Sequence, residues 1–247
     1  MTAIVGVFCK DGAVIGTDSS ATFTAGQSRT IEQQTEKIHI VDDHIIIACT
    51  GAIGLYQRFC AIVGKIWKDN GFTGSEIEVA KRLSRETLQD LAQTFLQPTG
   101  FGATIAFPIQ HRPHLCEFLP DNFQPELKTN KLWYCSMGSG QQITDPFLGL
   151  MREVFWEKGP PSLQEGVFAV TWALDHVITL NPGGVKDPIS IAVLEKLGDG
   201  KARARRLEPT ELAEHRQNVT AAKAHLREYQ KKLQPGAPAP DVPKPPS

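Results

Sequence analysis

The sequence has no surplus of either charge: 26 Lys+Arg stand against 27 Asp+Glu over 247 residues, a formal net charge of -1. Nucleic acids and anionic membrane surfaces attract proteins with a clustered basic excess, so neither is expected as a partner. The five cysteines, Cys9, Cys49, Cys60, Cys116 and Cys135, are odd in number, form no CxxC pair and mostly sit beside apolar residues. That usage predicts buried free thiols in a reduced compartment rather than a disulfide framework. No apolar run approaches the roughly 18 residues that span a bilayer, and Met1-Thr2-Ala3 opens into a strand-like segment with no basic leader region. The expectation is a cytoplasmic protein with no membrane span. No cofactor or metal is expected: His111 and His114 have no cysteine or carboxylate partner at metal-ligand spacing. The alternation Lys201-Ala202-Arg203-Ala204-Arg205-Arg206 reads as a solvated strand face.

What the chain does have is length enough for a sizeable core, one to two domains at roughly 150 residues each. Ala3 to Phe8 and Ala13 to Thr17 are β-rich runs on either side of Lys10-Asp11-Gly12, which predicts a hairpin. A second hairpin is predicted from Lys37 to Val41 and Ile45 to Cys49, turning at Asp42-Asp43-His44. From Ala52 to Asn70 the apolar residues recur at three- and four-residue steps, the helical period, and Gly71 stops the run. Ser75-Glu76-Ile77-Glu78 is a capping box that opens a second helix, ending before Pro98.

Strand signals return at Ala103 to Ile109, His114 to Phe118 and Lys131 to Ser136, and helical ones at Thr144 to Trp156 and Leu163 to Leu180. Strands over Ile189 to Leu194 and Ala202 to Leu207 close the core, with Trp133-Tyr134 and Phe155-Trp156 as candidate core aromatics. Strands, helix pair, strands, helix pair, strands is the order of an α+β four-layer α/β/β/α sandwich. The main domain is expected over 2–207, followed by a helical extension over 208–234 and a Pro-rich tail over 235–247. In the extension Leu212, Val219, Leu226 and Leu233 recur every seven residues, a narrow apolar stripe suited to docking on its own domain or on a neighbouring subunit. The tail holds six prolines and is expected to be extended.

Thr2 is the first residue with chemistry to offer. A small second residue lets methionine aminopeptidase remove Met1, which leaves a hydroxyl nucleophile and a free α-amine on one residue. An α-amine with a pKa of about 7.7–8.0 has a useful neutral fraction near pH 7 and can take the hydroxyl proton directly or through water.

Thr2 heads a strand, Gly16-Thr17-Asp18-Ser19-Ser20-Ala21-Thr22 ends the next, Thr35-Glu36-Lys37-Ile38 opens a third, and Thr50-Gly51-Ala52 follows a fourth. In this ordered set the sequence resembles the proteasome β-type subunits, threonine peptidases among the N-terminal nucleophile hydrolases. The resemblance runs from Thr2 to about Leu194. It implies that Thr2 is the nucleophile, Asp18 the carboxylate, Lys37 the lysine, Gly51 the oxyanion-hole glycine and Ser139, in Gly138-Ser139-Gly140, the supporting serine. A lysine ammonium near the threonine hydroxyl lowers the effective pKa of that hydroxyl, and a paired aspartate keeps the lysine charged. Ser139 is expected to hydrogen-bond the α-amine and Asp18, or else to cap the following helix.

Carried over in the same way, Ala21 and Thr22 line the substrate strand through backbone bonds. Cys49 and Ile53 form the floor and wall of the first side-chain pocket, with Thr35 and His39 nearby. An apolar pocket of moderate size suits small to medium apolar side chains on the acyl side of the cut bond. The sequence departs from the family in two places. The stretch between Asp18 and Lys37 is longer than usual, the excess falling in Phe23 to Thr30 as a loop expected to overhang the pocket. The aspartate and serine that the family places before a Gly-Gly pair are unmatched before Gly183-Gly184, where Asn181 is the candidate substitute.

The resemblance implies a threonine-type endopeptidase subunit of a self-compartmentalising double ring. Its substrate would be a peptide or unfolded protein, and its partner an ATP-dependent unfoldase or an adaptor. Two other readings stay open: a catalytically silent ring-forming scaffold subunit, and an N-terminal nucleophile amidohydrolase acting on a small amide.

Overall fold

The computed structural model describes residues 2–25, 28–180, 184–198 and 200–233. The chain begins with the strands β1 (Ala3–Phe8) and β2 (Gly12–Thr17), the polar ribbon β3 (Ser20–Ala25) and β4 (Ser28–Gln34), and the pair β5 (Ile38–Val41) and β6 (Ile45–Thr50). Helices α1 (Ile53–Asn70) and α2 (Glu76–Gln93) follow, then β7 (Gly102–Ile109), β8 (Arg112–Phe118), β9 (Pro125–Leu127) and β10 (Tyr134–Gly138). Helices α3 (Gln141–Phe155) and α4 (Leu163–Leu180), strands β11 (Ser190–Lys196) and β12 (Ala202–Arg206), and helix α5 (Pro209–Lys231) complete the order.

Two five-stranded antiparallel sheets result, β10-β1-β2-β11-β12 and β5-β6-β7-β8-β9. Alternation along β1 shows how the layers are specified: Ala3, Val5 and Val7 point to the helices while Ile4 points to the other sheet. The first sheet packs against α3, α4 and the start of α5 through Val170, Ala173, Leu174, Val177 and Val219. The second packs against α1 and α2 through Phe59, Val63, Val79, Ala80 and Leu83. Between the sheets lies a third layer built from many small residues, Ala13, Ala48, Ala106, Ala192, Ala202 and Ala204 among them. The molecule is therefore a four-layer α/β/β/α sandwich, as the order of elements predicted.

Glu78 accepts bonds from the backbone N–H and the hydroxyl of Ser75, both at 2.8 Å, so the capping box that opens α2 forms. The excess between Asp18 and Lys37 is not a loop: it is the β3–β4 ribbon, in register from Ser20↔Gln34 to Ala25↔Ser28 with a shift after Phe23. Trp133 and Trp156 are core residues, whereas Phe155 is exposed on α3. The residues Lys201 to Arg206 are not a solvated face throughout. Arg205 pairs with Glu195 and Glu211, and Arg206 pairs with Glu36. The apolar stripe of α5 divides. Val219 and His215 are buried on the body beside α4, while Leu226, Tyr229 and Leu233 are exposed. Asn181 and the tail 235–247 lie outside the described residues.

Candidate active site

The site forms where the first sheet meets the start of β5. Thr2 immediately precedes β1, and its position is held from below by the turn after β10. The N–H of Thr2 donates to Ser139 Oγ at 3.2 Å, the Ser139 hydroxyl donates to the Thr2 carbonyl at 3.4 Å, and the Gly140 N–H donates to the same carbonyl at 3.3 Å. Gly138 adopts φ +90°, and a Cβ on it would stand 2.2 Å from the Thr2 carbonyl oxygen, so only glycine fits there. Ser139 is not the cap of α3. Gly140 holds that position without a side-chain bond, and Thr144 Oγ1 donates back to the Gly140 carbonyl at 3.1 Å.

Asp18 immediately follows β2 and is completely buried, 0% exposed. Its carboxylate accepts the Ala3 N–H at 2.9 Å, the Ser20 N–H at 3.0 Å and the Lys37 ammonium at 2.7 Å. A buried carboxylate supplied with three donors has its desolvation cost offset by charge-assisted bonds. Lys37 is 8% exposed, and its Nζ also donates to Thr2 Oγ1 at 3.3 Å. Burial lowers the Lys37 pKa from its ordinary value, and the Asp18 charge opposes that shift without cancelling it. The three residues Thr2, Asp18 and Lys37 thus lie in one cluster. Ser139 reaches Thr2, but among the described residues it has no bond to Asp18.

The other predicted positions fall around this centre. Gly51 lies between β6 and α1 with φ +106°, where a Cβ would come within 2.5 Å of the Gly100 carbonyl. The residue is exposed. Ile53 opens α1 and is 45% exposed, Cys49 is partly buried in β6, and Thr35 is partly buried with its N–H on the Ser19 carbonyl at 2.8 Å. Burial pushes the Cys49 thiol well above its usual pKa, so it stays a neutral group. Ala21 and Thr22 pair with Gln33 and Glu32 of β4, and among the described residues β3 has no strand on its other side. That free edge is the backbone surface that an added strand uses.

The segment from Gly184 to Pro188 backs onto the same centre. Ser19 N–H donates to the Lys186 carbonyl at 3.2 Å, its hydroxyl donates to the Pro188 carbonyl, and Lys186 pairs with Glu32 at 2.6 Å. Sequence reasoning missed these supports, and it missed Arg206. Their partners are brought together by the fold rather than by any short motif. Among the described residues no group of three or more His, Cys, Asp or Glu side chains is placed to hold a metal ion. No helix there is long and apolar enough to cross a membrane.

The four-layer α/β/β/α sandwich, with Thr2 just ahead of its first strand, matches the fold of the N-terminal nucleophile hydrolases. Within that class the chain belongs to the proteasome subunit family, whose model matches residues 2–178. Among solved structures it is similar to the Anbu (Gly-1) mutant from Hyphomicrobium sp. strain MC1, with 14% identity and a TM-score of 0.71 over 95% of this chain and 98% of that one. It is also similar to Anbu (ancestral beta-subunit) from Yersinia bercovieri, with 14% identity and a TM-score of 0.68 over 95% of this chain and 98% of that one. At such identities the likeness is one of fold. No curated protein matches the chain by sequence.

Proposed function

We propose that the chain is a threonine-type endopeptidase subunit of a self-compartmentalising, proteasome-like assembly, active once Met1 is removed. The observation that carries this reading is the Lys37 ammonium, 2.7 Å from Asp18 and 3.3 Å from Thr2 Oγ1 in a nearly dry setting. A cation so placed favours the alkoxide form of the hydroxyl. In the first half-reaction Thr2 Oγ attacks the peptide carbonyl carbon and its proton passes to the α-amine. The C–N bond then breaks, the departing amine takes that proton, and an ester is left on Thr2. In the second half-reaction the α-amine takes a proton from water, hydroxide adds to the ester, and the acid is released with Thr2 restored.

Gly51 N–H would stabilise the oxyanion, a contribution of about 2.7–4 kcal/mol in other hydrolases. Ser139 would orient the α-amine, and the free edge of β3 at Ala21 and Thr22 would hold the substrate backbone. Cys49, Ile53 and Thr35 would line the first pocket. Membership of the proteasome subunit family supports self-association into rings, and closure of the sites inside such a chamber would restrict substrates to unfolded chains. The unfoldase or adaptor, the cytoplasmic location and the functional division at 207 and 234 are part of the same proposal.

Intact mass after exposure to a peptide epoxyketone tests the reading. A single adduct on the trimmed native chain, and none on Thr2→Ala, is expected, because the morpholine product needs both the amine and the hydroxyl. A trimmed native chain that takes no adduct would leave the silent scaffold reading in its place.

A further inference from the structure

The geometry points to Arg206 as the positioning residue of Lys37, an inference that rests on the peptidase reading. Arg206 ends β12 in the first sheet, while Lys37 leads into β5 in the second. The guanidinium grips the chain on both sides of Lys37: Nη1 pairs with the Glu36 carboxylate at 2.5 Å, and Nη2 donates to the Ile38 carbonyl at 2.5 Å. Nη1 also donates to Ser190 Oγ at 3.3 Å, which ties the fork to β11. The Thr35 N–H on the Ser19 carbonyl adds a third hold, so residues 35, 36 and 38 are each fastened and Lys37 projects from between them.

An ion pair with an exposed glutamate does little by itself, since Glu36 is solvated and the pair is screened. The Ile38 carbonyl is the stronger part of the argument. It lies next to Lys37 in the chain, and a planar fork that spans it and Glu36 together fixes both position and direction, which a single ammonium cannot do. The Lys37 ammonium must serve Asp18 and Thr2 Oγ1 at once, and the second contact is already long at 3.3 Å. Displacements of about 1 Å in catalytic geometry cost up to 10²-fold in rate. Arg206 lies beyond the residues matched by the family model, so this support is contributed by the later part of the chain.

The test compares Arg206→Met, Arg206→Lys and Arg205→Met with the native protein. Epoxyketone labelling gives the maximal inactivation rate and the half-saturating concentration, and a crystal structure gives the Lys37 contacts. Arg206→Met is expected to lower the maximal rate about tenfold or more with the half-saturating concentration unchanged. Arg206→Lys, which keeps one donor for Ile38, recovers part of the loss, and Arg205→Met on the same strand keeps the native rate. The crystal structure of Arg206→Met should show the Lys37–Thr2 contact lengthened. A native rate in Arg206→Met, or a structure that keeps both Lys37 contacts, overturns the inference. If the native protein itself takes no adduct the peptidase reading falls, and the crystal comparison still decides what Arg206 does. Should Arg206→Met not fold, Arg206→Lys carries the comparison, because a single ammonium cannot span Glu36 and the Ile38 carbonyl together: a native rate with both native Lys37 contacts in that variant overturns the inference.

Discussion

Gly138 passes directly beneath the carbonyl of Thr2, so close that a Cβ there would stand 2.2 Å from the carbonyl oxygen. The nucleophile's own backbone therefore rests on a position where a side chain cannot be built, and the φ of +90° is equally closed to alanine without strain. Gly138→Ala should cost about 1–3 kcal/mol from backbone strain alone. It should also slow epoxyketone labelling more than the lost stability explains, because Thr2 is what moves. Thermal melts with labelling rates measured well below the transition separate the two effects. Native labelling in a destabilised variant would mean that Thr2 is placed by other contacts.

Lys37 predicts the alkaline side of the pH profile. Its pKa is lowered by burial, so the ammonium deprotonates below the ordinary lysine value of 10.5. Peptide hydrolysis should rise through the α-amine pKa of about 7.7–8.0 and fall again before pH 10.5 is reached. Lys37→Arg keeps its charge over this whole range, so whatever activity it retains should lose the alkaline fall. Lys37→Met should lower kcat/KM by roughly 10²–10⁴. An alkaline limb that is unchanged in Lys37→Arg would assign it to another group.

Removing one member of a buried ion pair strands the other. Asp18→Asn leaves the Lys37 ammonium enclosed without its carboxylate and should cost about 3–5 kcal/mol in urea unfolding near neutral pH. The double variant Asp18→Asn with Lys37→Met should be less destabilised than the single one, because the stranded charge is gone. Additive losses would indicate that the pair is solvated after all.

Docking of α5 is expected to depend on pH through His215. Its ring is buried against the body, and among the described residues its Nδ1 has no partner. Burial lowers its pKa from 6.5, against the opposing influence of Glu214 and Glu211. A folded-state pKa below the unfolded one means that the unfolded chain takes up the proton first. The contribution to stability is complete above about pH 6.5 and is lost as pH falls through the lower folded-state value. His114 and His176 are shifted the same way and add to the trend. Urea midpoints from pH 7.5 down to pH 5 should fall, and His215→Leu should flatten part of that slope.

Much of the architecture was readable because periodicity and end signals agreed. Val5 and Ile4 alternate cleanly, Gly71 stops α1, and Ser75 with Glu78 opens α2. The β3–β4 ribbon was missed: Ala21, Phe23 and Ala25 do alternate with Ser20, Thr22 and Thr24, but Ser28 to Gln34 answers them with one apolar residue, Ile31, so no paired strand stood out. Strand β9 has three residues and starts at a proline, below any pattern threshold. Within the candidate site, Thr2, Asp18 and Lys37 were singled out because the family resemblance falls on them in order and each adjoins a recognisable strand. Arg206 looked like one more surface cation, and nothing near it in sequence announces Ile38, 168 residues away.

The layer between the two sheets sets Ala13, Ala48, Ala106, Ala192 and Ala204 among Ile4, Ile15, Ile38 and Ile46. Thr2 and Asp18 adjoin β1 and β2 of one of these sheets, and Lys37 adjoins β5 at the edge of the other. The gap from ammonium to hydroxyl is therefore set by how closely the two sheets approach, and the site behaves as a calliper closed on its own core. Thickening that layer by a single methyl group, far from any substrate, would open the jaws at Thr2.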